Sequence, residues 1–154
     1  MKTNEERLAL KKKILEACLQ QQATAIENLK SVMDEAADSA EDYGLPKDLY
    51  DSYRNQLMSK REMYALQIQK VNEQVDILRR VEINRLYDTV RFGTVVITSL
   101  QKLFIAAGVG KVAVDGEEYY AISPIVPFFA AIDGKKKDQE YEFKGKKAKI
   151  IDVF

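Results

Sequence analysis

The sequence predicts an α+β protein: a long N-terminal antiparallel α-helical hairpin, paired as a coiled coil, followed by a small β domain with one short helix. Three observations carry this. From Thr3 to Arg91 the chain has one glycine and one proline, Gly44 and Pro46, both within the segment Asp42 to Lys47. On either side of that segment apolar residues recur at three- and four-residue steps, as one face of a helix requires. From Phe92 onward the other six glycines gather among β-branched runs such as Val95-Val96-Ile97, the signature of short strands and turns.

The first arm runs before the Gly-Pro turn. Leu8, Leu15, Cys18, Gln22, Ala25, Leu29, Val32 and Ala36 form its seam. The second arm follows the turn, where Tyr50, Leu57, Tyr64, Val71 and Leu78 recur every seven residues with Ile68 and Val75 between them. Arg54 and Arg61 also fall on seam positions, so the pairing near the turn is expected to be thin and partly hydrated. At ~1.5 Å per residue, arms of about 35 residues reach on the order of 50 Å, more than a compact two-helix core needs. The expected domains are residues 1–91, a hairpin with its tip near 42–48, and residues 92–154.

In the second domain strands are expected at Phe92–Thr98, Lys102–Ala107, Lys111–Val114, Glu117–Ser123, Gln139–Phe143 and Lys146–Val153. Asp115-Gly116 and Lys144-Gly145 sit between apolar alternations as two-residue hairpin turns. Ser123-Pro124 opens a short helix that Gly134 closes, and the expected product is a strongly bent sheet packed on that helix.

Composition removes several chemistries. The 154 residues contain no histidine, which excludes Ser-His-Asp and Cys-His catalysis, imidazole metal ligation and histidine pH switching. The one cysteine, Cys18, forms neither an internal disulfide nor a thiolate zinc cage, and its seam position makes it a small core residue. A reducing, cytoplasmic setting is expected. The N-terminus lacks a signal-peptide core, and no apolar run approaches the roughly 20 residues of a membrane span. A closed intramolecular hairpin makes a monomer the expected state.

Charge is balanced in sum, 24 Lys and Arg against 24 Asp and Glu, but not in place. Between residues 34 and 51 stand Asp34, Glu35, Asp38, Glu41, Asp42, Asp48 and Asp51 against Lys47 alone. An acidic tip repels nucleic-acid phosphate and attracts divalent cations or a basic protein surface, so direct duplex DNA binding is not expected. The plainer reading of the same acids is a solvated turn.

Several C-terminal segments stand in a recognisable order: Phe92-Gly93-Thr94-Val95-Val96, Ala121-Ile122-Ser123-Pro124, Gly134-Lys135-Lys136-Lys137-Asp138, Tyr141-Glu142-Phe143 and Ile150-Ile151-Asp152-Val153. With the preceding helical hairpin and its acidic tip, this set resembles the bacterial Gre-type transcription elongation factors, the GreA/GreB transcript-cleavage family, over nearly the whole chain. The resemblance implies an FK506-binding-protein-like C-terminal domain without isomerase activity. It further implies a partner, bacterial RNA polymerase, with the β domain on the rim of the secondary channel and the hairpin inserted toward the active site. Nascent RNA would be contacted only indirectly. No cofactor of its own is implied; the magnesium ion belongs to the polymerase.

In that family tip carboxylates help hold a second magnesium ion that promotes hydrolysis of backtracked RNA. Paired hard oxygen donors suit that task because a lone carboxylate does not complete the shell of an ion already bound elsewhere. Here Gly44-Leu45-Pro46-Lys47-Asp48-Leu49 aligns with the family tip: Asp48 stands for its glutamate, Leu45 replaces its aspartate, and Asp42 or Glu41 is left to supply the second carboxylate. The resemblance therefore implies Asp42 and Asp48 as catalytic and metal-holding residues within the polymerase, flanked by Asp38, Glu41 and Lys47. It also places Ser123, Pro124 and Ile125 on the polymerase rim, with Phe128-Phe129 adding apolar contact if exposed. The departure at Leu45 points to a channel-inserting regulator without robust cleavage, and not to an enzyme in its own right.

Plainer roles stand beside these. Tyr50 and Tyr64 are seam residues before they are stacking platforms for bases. Lys135-Lys136-Lys137 is bracketed by Asp133 and Asp138 and reads as a solvated loop. The alternative function, from a different class, is a non-transcriptional coiled-coil interaction or chaperone-like module.

Overall fold

The computed structural model describes the backbone of residues 2–41 and 47–154, and the side chains of 2–35 and 51–154. Its elements are α1 (Asn4–Glu41), α2 (Lys47–Arg79), β1 (Val95–Thr98), β2 (Lys102–Ile105), β3 (Gly110–Val114), β4 (Glu117–Ile122), α3 (Pro127–Ile132), β5 (Glu140–Phe143) and β6 (Lys146–Val153). The class is α+β: two long helices, then a six-stranded mixed sheet and a short helix. Residues 1–21 and 74–154 form one compact unit and residues 22–73 another. The composition shift at residue 92 thus falls inside the first unit, because the opening turns of α1 and the last turn of α2 pack with the sheet. The expected turn at Gly44-Pro46 lies outside the described residues.

Within the unit of residues 22–73, one stripe on each helix is shielded from solvent. On α1 it contains Gln22, Ala25, Ile26, Leu29 and Met33; on α2 it contains Tyr53, Leu57, Tyr64, Ile68 and Val71. Two expectations are corrected. Val32 is exposed and Met33 takes its place, because a straight helix at 3.6 residues per turn drifts away from a strict seven-residue repeat. Arg54 and Arg61 are exposed, with Tyr53 filling the stripe instead. Among the described side chains of this unit only Gln22 is buried, the rest of both stripes being half-buried.

The sheet of the other unit has the order β3-β4-β2-β1-β6-β5. All neighbouring pairs are antiparallel except β2 and β4, which run parallel in the register Leu103↔Tyr120 to Ile105↔Ile122. The chain leaves β2, forms the edge strand β3, and turns back so that β4 inserts between them. Both expected hairpin turns form: Asp115 (φ 52°) with Gly116 (φ 78°), and Lys144 (φ 50°) with Gly145 (φ 79°). Two left-handed residues in succession give the primed turn whose twist matches paired strands. A Cβ on Gly116 would meet nothing within 4 Å, so Gly116→Ala tests the backbone alone. We expect it to lower stability by about 1–2 kcal/mol in urea denaturation, with an unchanged slope.

The strands separate two cores. On one face Phe104, Val95, Ala106, Tyr119 and Phe154 pack with Leu10, Ile14, Leu15 and Cys18 of α1 and Leu78 of α2. On the other, Val96, Leu103, Ile105, Ile150 and Val153 pack with Phe129 and Ile132 of α3. The sheet is therefore covered on both faces, not by the short helix alone. Polar contacts fix the helix-covered side: Arg7 to Asp152 at 2.9 Å, Lys13 to Asp115 at 3.1 Å, Gln21 to the Val109 carbonyl at 3.3 Å and Gln74 to the Gly108 carbonyl at 3.1 Å. A capping box opens α1, the Glu6 amide donating to Thr3 Oγ1 and the Thr3 amide to Glu6 Oε2.

The short helix begins later than expected. It starts at Pro127, and Val126 before it is extended (φ −73°, ψ 146°). A residue preceding proline is driven out of the α region, so Val126-Pro127 forbids a helix that would have begun at Ser123-Pro124. Ser123 instead anchors a turn, its carbonyl accepting from the Val126 amide and its Oγ from the Ile125 amide, both at 3.3 Å.

Candidate functional site

The tip residues named from sequence are only partly within what is described. Asp38 and Glu41 lie in the last turn of α1, and Lys47 and Asp48 open α2, with their side chains outside the described set. Asp42 lies outside the described residues altogether. The helix bounds leave five residues, 42–46, between the elements carrying these acids.

The second predicted group lies between β4 and α3. Pro124 fixes the backbone of the Ser123 turn, and Ile125 projects from it with 90% of its surface exposed, more than any other large apolar side chain described. Phe129 is buried, whereas Phe128 is half-buried and meets Tyr141 and Phe143 edge-on, with centroids 5.7 and 5.2 Å apart. The apolar contact expected of the two phenylalanines therefore shrinks to part of Phe128, because their rings complete the core and an aromatic cluster. Ile125 is left as the anchor. Burying its side chain in a partner would contribute about 1.5–3 kcal/mol before the cost of ordering.

The lysine run from Lys135 to Lys137 is stitched into the fold. The Val90 amide donates to the Lys135 carbonyl at 2.8 Å, and the Lys136 amide donates to Gln139 Oε1 at 2.7 Å. Cys18 is fully buried, and loss of hydration pushes its thiol up to about 12, so it is a core residue and not a nucleophile at neutral pH.

A groove of about 440 Å³ that sequence patterns do not indicate opens where the start of α1 crosses the sheet. Leu10, Ile97, Ile151 and Phe154 supply its apolar lining, and Lys2, Lys102, Glu117, Lys137, Asp138 and Asp152 its charges. Lys102 and Glu117 pair across neighbouring strands, and the Lys102 contact holds the Glu117 carboxyl below the usual carboxylate range. Burial, and then the charge of Glu117, pushes the Tyr119 hydroxyl up to about 12, so it stays protonated and acts as a donor, not a base. The groove thus offers shape and paired charges, not an acid–base couple. Its residues come from α1 and the residues before it, β1, β2, β4, the α3–β5 connection and β6, and short-range spacing along the chain carries no sign of their convergence.

Among the described residues no three Asp, Glu or Cys side chains converge as a metal set, and no helix is long and apolar enough to cross a membrane. No protein-family model matches the chain, and no curated protein matches it.

Proposed function

We propose that the chain is a Gre-like transcription elongation regulator. It binds bacterial RNA polymerase through the Ser123-Pro124-Ile125 turn and presents the acidic segment around Asp42 and Asp48 to the polymerase active centre through the secondary channel. The observation that supports this best is the order of elements: two helices of 38 and 33 residues with an acidic stretch of sequence between them, then a small mixed sheet with, after β4, the turn that carries Ile125, the most exposed large apolar side chain described. In this reading the helices pair as an antiparallel coiled coil and the sheet is an FK506-binding-protein-like domain. The five segments that carry the resemblance lie at the turn into β1, the exit from β4, the α3–β5 connection, β5 and β6.

Chemically, the chain supplies carboxylates and its partner supplies the magnesium. Asp42 and Asp48 would add hard oxygen ligands and orient water at an ion the polymerase already holds. With leucine at position 45, a second strong ligand is missing from its usual place, so occupancy of the channel outweighs stimulation of cleavage.

The test is co-elution with bacterial RNA polymerase, followed by pausing and transcript-cleavage assays on backtracked complexes across a magnesium titration. Asp42→Ala with Asp48→Ala should abolish any effect on the active centre and leave binding intact. Ile125→Asp should weaken binding by about tenfold or more. Absence of co-elution, together with unaltered pausing and cleavage, would overturn the proposal in favour of a coiled-coil or chaperone-like module.

A further inference from the structure

The segment between α2 and β1 carries a feature that the polymerase reading does not use. Three arginines line one cleft of about 400 Å³, Arg7, Arg85 and Arg91, beside Asn4, Tyr87 and Thr89 among others, and Lys11 lies against the same Tyr87 ring. The charged ends of Arg91, Lys11 and Arg85 lie 4.5, 4.8 and 5.1 Å from the centroid of the Tyr87 ring. One aromatic ring attracts one cation well; three sharing it repel one another at close range, and a single quadrupole does not offset that.

The acids nearby leave this excess standing. Asp152 is committed to Arg7 by two hydrogen bonds at 2.9 and 3.0 Å. Glu82 meets Arg85 only at 3.6 Å, with both side chains more than half exposed, a pair of small worth. Asp88, on the wall of the cleft, is solvent-exposed. The Arg91 guanidinium has no carboxylate within salt-bridge distance among the described residues. Arg7 Nε is buried with no hydrogen-bond acceptor among them, and it belongs to a side chain lining the same cleft. Neutral donors stand beside the cations in the Asn4 amide and the Thr89 hydroxyl.

The geometry points to a binding site for a phosphate-chain ligand in this cleft, with Arg85 and Arg91 as its principal contacts. Two guanidinium forks on the wall of the cleft match tetrahedral phosphate oxygens bidentately, and a multiply charged chain relieves the repulsion among the cations. The ring of Tyr87 is occupied by cations, so the ligand is recognised by its phosphates and not by stacking of a base. The chain is carried either by free pyrophosphate or by a nucleoside triphosphate, which present the same oxygens.

The full-length chain is titrated calorimetrically with pyrophosphate, with ATP and with citrate at low ionic strength. Pyrophosphate is expected to bind with 1:1 stoichiometry, and Arg91→Gln with Arg85→Gln to weaken it by at least about tenfold. The unliganded variant should be at least as resistant to denaturant as the parent, since both side chains are exposed and their mutual repulsion is removed. Binding of ATP as tight as that of pyrophosphate, or tighter through its third phosphate, would assign recognition to the phosphate chain and supports the site. Three results would overturn it: no binding of pyrophosphate or ATP at millimolar concentration, citrate binding as tightly as pyrophosphate, or equal weakening by Lys60→Gln with Arg61→Gln on the exposed face of α2. The titration contains no polymerase, so its failure and that of the elongation reading are separate results.

Discussion

Replacing Phe104 by alanine is expected to lower the stability of the chain by about 3–5 kcal/mol, a large share of the roughly 5–15 kcal/mol that holds a domain folded. Phe104 lies at the centre of β2 with none of its surface exposed, and its ring faces the core that the sheet shares with Leu10, Ile14 and Leu78. Its strand neighbours Leu103 and Ile105 face the opposite core, so β2 is held from both sides and has little freedom to collapse into a cavity. That rigidity puts the cost toward the upper end of the range. Urea denaturation followed by circular dichroism reads it as a lower midpoint with an unchanged slope. Leu100→Ala, in the exposed β1–β2 turn, serves as the control and should stay within about 0.5 kcal/mol of the parent. A loss below about 1 kcal/mol for Phe104→Ala would show that α1 does not pack on this face as described.

The elements legible in sequence are those decided by neighbouring residues. Asp115-Gly116 and Lys144-Gly145 mark their hairpins because two successive left-handed residues are a local demand, and β6 runs over the expected Lys146–Val153. The start of α3 is illegible for an equally local reason. Ser123-Pro124 and Val126-Pro127 both resemble a helix start, and only the exclusion of Val126 from the α region decides between them. The parallel pairing of β2 with β4 depends on where a strand returns after β3, which no residue in β2 specifies. The wide buried face at the start of α1 is likewise a tertiary matter: a coiled-coil seam predicts Leu15 and Cys18, but contact with a sheet also buries Leu10, Lys11 and Ile14.

The same distinction governs the candidate sites. Ser123-Pro124-Ile125 reads in sequence as a helix start, and its place in a turn with Ile125 exposed is a finding of the structure. The Tyr87 cleft is not visible, since Arg7, Lys11, Tyr87 and Arg91 come from separate turns of chain, and each arginine reads alone as a solvated charge. Lys11 is the sharpest case. It stands first in Lys11-Lys12-Lys13, three identical charges in a row, yet Lys12 and Lys13 are exposed and Lys11 is not exposed at all.

Lys11→Met is accordingly expected to stabilise the chain at neutral pH, by roughly 1–3 kcal/mol. The Lys11 ammonium donates to the Arg85 carbonyl at 2.9 Å and lies over the Tyr87 ring, but burial strips most of its hydration and lowers its pKa to about 8, against a weaker opposing pull from Glu82. Below pH 8 the folded chain holds the charged form and bears the whole penalty. Between about 8 and the unfolded value of 10.5 the unfolded chain binds more protons than the folded one, so stability from this group rises with pH and is complete only above 10.5. Methionine keeps the length of the side chain and has no charge to bury. The advantage of the variant should therefore be greatest at pH 7 and shrink steadily as the pH approaches 10.5. Tyr119 titrates alike in both proteins, so it drops out of the difference between them. Paired urea melts at pH 7, 9 and 10.5 measure the trend. A variant less stable than its parent at pH 7 would mean that the bond to the Arg85 carbonyl and the Tyr87 contact together outweigh the lost hydration, and that Lys11 is a structural cation and not a tolerated one.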